Sequence, residues 1–392
     1  MKRAFTWTLL VALFVAVNAS AQSVTRPTFR ALEEVQLMME AEQFAEAVVQ
    51  LEALAIETEK NPYDFVLTSQ YLAHASVMLG DQARARSALE AALAIESMPD
   101  DLRSSMNLFY GTILVGDEEY ELAREVLAEW FAQAELPTAS QIFSYGYAVY
   151  MAGDVEASQP LVARAISESV NAPESWYQLF YRILFDQKKY EAGEEVLKGM
   201  LTRGPTNEGT WRLLASHYLQ LEESREGLAA LMVAYSNELL ETDSDLKQIV
   251  ALWGYIDAPD KGARLLEEWL TTEKLERDAD TLKQLGNLWL MARERENAMS
   301  VLQQAAELSP DGRTYEMLGG IHFEEEEWGE AFTAYSSAVR IGDLEEPLRT
   351  SLLAGISAYR DGNYDDAKEA LEVAAESDEF RSQAESILRQ MR

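Results

Sequence analysis

The side chains able to do chemistry are few and scattered. Histidine occurs three times, as His74, His217 and His322, far apart in the chain. A catalytic or structural metal centre needs several such ligands converging on one point, so no multi-histidine site is expected. Cysteine is absent, which removes a thiolate nucleophile, Cys-ligated zinc and an iron–sulfur cluster. The densest charge run, Glu324 to Glu327, lies between His322 and Trp328. Calcium loops place Asp, Asn and Gly at alternating positions. This run has none of them and reads as a solvated turn. The chain also lacks a GxGxxG, a P-loop, a GxSxG and an HExxH, the motifs that would cradle phosphates, raise a serine nucleophile or hold zinc. A protein without catalysis, cofactor or metal is expected.

The bulk composition agrees with a folded chain. Of 392 residues, 48% are hydrophobic and 26% charged, too apolar for a disordered segment. Such a length supports a sizeable core or two to three compact domains. Lys and Arg number 33 against 67 Asp and Glu, a net charge of -34. A surface this acidic repels phosphate backbones, so nucleic acid is excluded as a partner. The same charge keeps a chain soluble, and it also attracts a basic partner.

Residues 1–21 read as an address. Met1-Lys2-Arg3 supplies a positive start, Leu9 to Val17 an apolar run, and Ala19-Ser20-Ala21 a small-x-small cleavage site before Gln22. That order is a secretory signal peptide. The apolar run is shorter than the roughly 20 residues a membrane span needs, so no membrane insertion is expected after cleavage. Cleavage removes Lys2 and Arg3 and no acid, leaving 31 cations against 67 acids, or -36. The expected location is the periplasm, in a form that folds without disulfides. Residues 22–27, including Pro27, read as a short flexible leader.

The rest of the chain repeats one unit. A small residue recurs as Ala47, Ala85, Ala123, Ser158, Ala192, Gly227, Gly262, Ala298, Ala331 and Ala367, in steps of 33 to 38 residues. Turn signals precede most of these anchors: Gly80-Asp81, Gly116-Asp117, Gly153-Asp154 and Gly362-Asn363. Each stops one helix and starts another. Pro62, Pro99, Pro137, Pro173, Pro205 and Pro310 fall between units and block helix continuation. Inside units the period is helical, as in Ala123, Val126, Leu127 and Trp130. Two short helices per unit cannot bury both faces alone, so neighbours must stack.

The clearest units read Leu282-x-x-Leu285-Gly286, Trp289, Ala298, Leu302, Ala305, Pro310 and Tyr315-x-x-Leu318-Gly319, Ala331, Tyr335, Ala338. These offsets resemble the tetratricopeptide repeat. The resemblance implies an all-α, right-handed superhelical solenoid of about ten helix-turn-helix repeats over 28–377, closed by a capping helix over 378–392. The first unit, 28–61, departs from the pattern with Val35 at the Gly place, as expected of a terminal cap. In this family the concave face is lined by the first helix of each unit, at its second, fifth, ninth, twelfth and thirteenth places. Carried over, those places hold Phe143, Tyr147 and Tyr150 in the fourth unit and Tyr177 and Tyr181 in the fifth. Later units hold Arg212, Lys247 and Lys283 there. A one-residue error of register would instead move the aromatics into the core.

A signal peptide, about ten repeats, an acidic mature chain and no Cys also resemble the periplasmic tetratricopeptide proteins encoded beside TonB–ExbB–ExbD systems. That resemblance implies a non-catalytic interaction scaffold aiding TonB-dependent outer-membrane uptake. Its partner would be an envelope protein or an extended Pro/Lys-rich segment, TonB-like, docked on Tyr rings. The alternative is a scaffold for export or assembly of an envelope polymer such as exopolysaccharide, or of an outer-membrane complex.

Overall fold

A computed structural model of the chain describes residues 24–391. The expected signal peptide lies outside the described residues. All regular structure among the described residues is helical. The helices cluster into two compact units that meet in sequence at Arg203 and Gly204.

The first unit holds α1 (Arg26–Glu40), α2 (Phe44–Thr58), α3 (Pro62–Leu79), α4 (Gln82–Leu93), α5 (Asp100–Gly116), α6 (Tyr120–Gln133), α7 (Ala139–Met151), α8 (Val155–Glu168), α9 (Glu174–Asp186) and α10 (Tyr190–Arg203). The second holds α11 (Glu208–Gln220), α12 (Ser224–Ser236), α13 (Asp243–Tyr255), α14 (Pro259–Thr271), α15 (Ala279–Met291), α16 (Arg295–Leu308), α17 (Gly312–Glu324), α18 (Trp328–Ile341), α19 (Pro347–Asp361), α20 (Tyr364–Ala374) and α21 (Asp378–Gln390). In each unit every helix packs on the next, so the helices form five hairpins stacked side by side. This is the tetratricopeptide-type, all-α architecture. The closing helix α21 packs on both α19 and α20.

The anchors explain the close hairpins. Ala47, Ala85, Ala123, Ser158, Ala298, Ala331 and Ala367 are each fully buried. Opposite them the first helices carry Gly111, Gly146, Gly286, Gly319 and Gly355. A Cβ built at Gly286 would lie 2.6 Å from Leu302, and one at Gly319 2.7 Å from Tyr335. Small residues on one helix therefore make the space that a large residue on its partner fills.

One anchor is misplaced by the sequence reading. Ala192 is exposed, and its neighbour Gly193 is buried in α10. The fifth hairpin follows the fourth by 35 residues rather than 34, as the starts of α7 and α9 and of α8 and α10 show. Both residues are small, so composition alone could not choose between them.

Turns follow the expected chemistry at Gly80, Gly153 and Gly362, which adopt left-handed φ of 86°, 88° and 83°. The next residues, Asp81, Asp154 and Asn363, cap α4, α8 and α20. At Gly116-Asp117 the outcome differs: Gly116 closes α5, and Glu118 takes the left-handed place with φ 64°.

Of the expected leader, Gln22 and Ser23 lie outside the described residues, and the rest is not a flexible leader. Arg26 and Pro27 already belong to α1, with Thr25 as N-cap residue. The reason is a clasp from α3. The buried Asp64 carboxylate accepts hydrogen bonds from the Thr25 N–H (3.1 Å), the Thr25 hydroxyl (2.6 Å) and the Thr28 hydroxyl (2.8 Å).

Candidate partner-binding face

The first helices of each unit carry the residues singled out by the sequence. In the first unit, α7 and α9 present them. Phe143 is buried, with its ring stacked on Trp176 at 4.4 Å between centroids. Tyr181 is buried too, against the sequence reading that placed it in the groove. The 35-residue step explains it: Tyr181 occupies in α9 the place that Gly146 occupies in α7, facing the second helix of its own hairpin. Burial pushes its phenol up to about 12. Phe143 and Tyr181 are therefore core side chains.

Tyr147 and Tyr150 remain half-buried at the surface of α7, beside the exposed Met151. Tyr147 meets Tyr120 edge-on at 6.0 Å. Burial, and then the hydrogen bond with Tyr147, pushes the Tyr120 phenol up to about 12. The Tyr150 hydroxyl donates to Asp186 at 2.8 Å. Its own phenol is raised by burial first and by that carboxylate second. Arg182 reaches the other oxygen of Asp186 at 3.5 Å. Tyr177 lies apart, half-buried under the Arg203 guanidinium at 4.4 Å. With the step corrected, the places the family uses on α9 fall on Gln178, Arg182, Phe185 and Asp186. The sequence reading missed Arg182 and Asp186. Counting 35 residues from Ser158, onto Gly193, would have found them. The face thus combines phenol rings at α7 with an Arg–carboxylate pair at α9. Such a surface can stack an extended chain, and none of it is a nucleophile–base arrangement.

In the second unit the cations prove to be cross-links. Arg212, on α11, forms a two-pronged pair with Asp245 of α13, both contacts at 2.9 Å. Lys247 of α13 lies 3.9 Å from Asp278, and Lys283 of α15 lies 3.3 Å from Asp311. Asp278 and Asp311 are themselves the N-cap residues of α15 and α17. The fifth residue of one first helix therefore ties down the start of the next. The ladder continues without a cation where the Thr350 hydroxyl donates to the Glu316 carboxylate. The regular spacing read as a cationic groove is instead the spacing of this ladder.

These bonds hold carboxylates ionised. Asp245 is lowered chiefly by Arg212. At Asp278 and Asp311 burial pushes upward, but hydrogen bonds from Thr281 and Thr314, with Lys247 and Lys283 nearby, bring the net shift down. A lowered folded pKa contributes stability above the unfolded value, near 3.9, and loses it as pH falls through the folded value. The melting midpoint is therefore expected to drop as pH falls below about 4. Asp245→Asn should flatten that acid limb while lowering the neutral plateau. An unchanged limb in circular-dichroism melts would show that the ladder adds no stability.

The histidines stand apart on α3, α11 and α17. His74 is half-buried, and burial lowers its pKa. His217 is fully buried rather than partly exposed as a helix-surface residue would be. His322 Nδ1 lies 2.6 Å from Glu327. The run Glu324–Glu327 does form the α17–α18 turn, where Arg295 pairs with Glu324 and Glu325. Among the described residues no group of three or more His, Asp or Glu is placed to hold a metal ion. No described helix is long and apolar enough to cross a membrane.

No protein-family model matches the chain, and no curated protein does. Solved structures do match. The chain is similar to YrrB, described as a TPR protein with an unusual peptide-binding site. Identity is 16%, coverage 50% of this chain and 99% of that one, and TM-score 0.38. It is similar to MamA from Desulfovibrio magneticus at 16% identity, over 47% of this chain and 96% of that one, TM-score 0.37. A third match is the C-terminal part of a TPR repeat-containing protein from Cytophaga hutchinsonii. There identity is 12%, coverage 72% and 99%, and TM-score 0.37. Scores this low carry no argument about function. The hairpin architecture rests on the helices and buried anchors described above.

Proposed function

We propose that the chain is a non-catalytic periplasmic scaffold that captures an extended segment of an envelope protein on the α7–α9 face. The observation that carries this reading is the pair of half-buried phenols, Tyr147 and Tyr150, set beside the Asp186 carboxylate. Phenol rings offer flat apolar contact with a polar tip, which suits proline rings and lysine stems alike. The strongly negative chain supplies the attraction for a cationic segment. A Pro/Lys-rich stretch of a TonB-like protein has both properties. We therefore place the protein as an accessory to TonB-dependent uptake, with the signal peptide removed.

The test is calorimetric titration with a Pro/Lys-rich peptide at low and high salt. The screening length falls from about 10 Å at 0.1 M to about 3 Å at 1 M. Affinity should drop as salt rises and level off at a residue of aromatic contact. Absence of saturable binding at low salt would remove the TonB reading. Fractionation that leaves the protein in the inner membrane after a salt wash would remove the soluble periplasmic one.

A further inference from the structure

The first and last described hairpins are finished differently. At the C-terminal end α21 covers the last hairpin. Its Ala384 is fully buried, and Phe380, Ile387 and Leu388 pack toward Leu352, Leu371 and Ala374. No described helix covers the outer side of the first hairpin, α1–α2. Its outward residues include Leu37 at 66%, Val49 at 66% and Ile56 at 76% exposure. A terminal repeat ordinarily turns a polar face outward. Here α2 is apolar on both sides.

The geometry of α2 shows where the bare stripe points. Ala47, Leu51, Leu54 and Thr58 form its buried side. Val49, Ala53 and Ile56 recur at i, i+4 and i+7 on the opposite side, and all three are exposed. One flank of the stripe is marked by Glu52, paired with Arg84 of α4 at 3.4 Å. The other is marked by Gln50, whose amide donates to Glu34 of α1 at 3.4 Å. The stripe thus lies between these flanks and away from α3. On α1, Thr28, Leu32 and Val35 face the core. By helical spacing Arg26, Arg30 and Leu37 share the arc opposite them, and all three are exposed.

We propose that this face is an interface between two copies of the chain, in which α1 of each copy packs antiparallel on α2 of the other. The Gln50–Glu34 contact sets the level of the two helices within one hairpin. Going up α1 is going down α2. Leu37 is thereby level with the Val49 end of α2, and Arg30 and Arg26 with the Ala53–Glu57 end. A two-fold axis parallel to the helices keeps every residue at its level and exchanges α1 for α2. Leu37 of the second copy then meets Val49, and Arg30 and Arg26 of the second copy meet Glu57 and Ile56. Each contact occurs twice, as a closed two-fold interface demands. The product is an up-and-down four-helix bundle. Charge selects this pairing over α2 against α2. Glu46, Glu52 and Glu57 make α2 acidic, so two such helices repel, whereas the first half of α1 brings Arg26 and Arg30 to the level of Glu57, its acids Glu33, Glu34 and Glu40 following further along.

Light scattering on the purified chain at micromolar concentration tests it. The expected mass is twice that of one chain. Val49→Glu with Ile56→Glu should return the single-chain mass with helical content unchanged. Arg30→Glu should weaken dimerisation about tenfold or more, and Arg30→Glu combined with Glu57→Arg should restore it. Both positions are exposed, so this swap decides the matter even if the first pair unfolds the hairpin. A single-chain mass for the parent, or a double mass untouched by the charge reversal and its rescue, would overturn the proposal.

Discussion

Gly193→Trp is expected to lower the melting midpoint sharply, while Ala192→Trp leaves it close to the parent value. The two positions are adjacent and both small, yet one is buried and the other exposed. Forcing a large ring into a close helix pair costs about 1–3 kcal/mol, and more where nothing can yield. At an exposed helix position the same ring changes stability by about 0.5 kcal/mol or less. Ala298→Trp and Ala331→Trp should behave like Gly193→Trp, because both anchors are fully buried. In a stack of repeats the damage should spread to neighbouring hairpins and spare distant ones. Circular-dichroism melts on the four variants check this. Equal melting for Gly193→Trp and Ala192→Trp would contradict the 35-residue step.

Asp64→Ala is expected to be the most damaging single truncation at the chain start, by about 3 kcal/mol. The carboxylate is buried and accepts from Thr25 twice and Thr28 once. Removing it leaves a buried hydroxyl and a backbone N–H without that acceptor, and the start of α1 loses its tether. Asp64→Asn keeps an acceptor oxygen and should cost less. The effect should be local. Amide hydrogen exchange should quicken throughout α1 and little beyond α3, since that clasp joins these two helices. Unchanged exchange in α1 would show that packing of Leu32 and Val35 holds the helix without the clasp.

Much of this architecture is legible in the sequence because the repeat constrains it. An anchor that must be small and a large residue that must fill the space beside it leave a pattern of recurring Ala, Leu and Gly. The errors arise where that pattern is indifferent. Ala192 and Gly193 both satisfy it, and a one-residue choice turned Tyr181 from core into groove. Pro160 lies inside α8, where a proline would ordinarily be taken for a boundary. The start of α1 carried a legible signal, Thr25 followed by Pro27, which the nearby cleavage site overshadowed. The cations Arg212, Lys247 and Lys283 were correctly placed at one recurring position, but their role depends on what stands level with them on the next helix. That partner is an N-cap or first-turn aspartate some 30 residues onward, a relation no local periodicity reveals. Tyr147 and Tyr150 are half-buried at the surface of α7, whereas Phe143, one turn away on the same helix, is buried by its stacking on Trp176.

The most direct measurement is the peptide titration run in parallel on two variants, each with its thermal melt. Tyr147→Ala with Tyr150→Ala should weaken binding of the Pro/Lys-rich peptide by about 2 kcal/mol, about thirtyfold in Kd, and lower the melting midpoint only by what the contacts to Tyr120 and Asp186 contribute. Tyr181→Ala should lower the melting midpoint and leave the affinity of the folded protein intact. The opposite assignment, with Tyr181 carrying affinity and the Tyr147–Tyr150 pair carrying only stability, would contradict the α7–α9 face as the place where a partner binds.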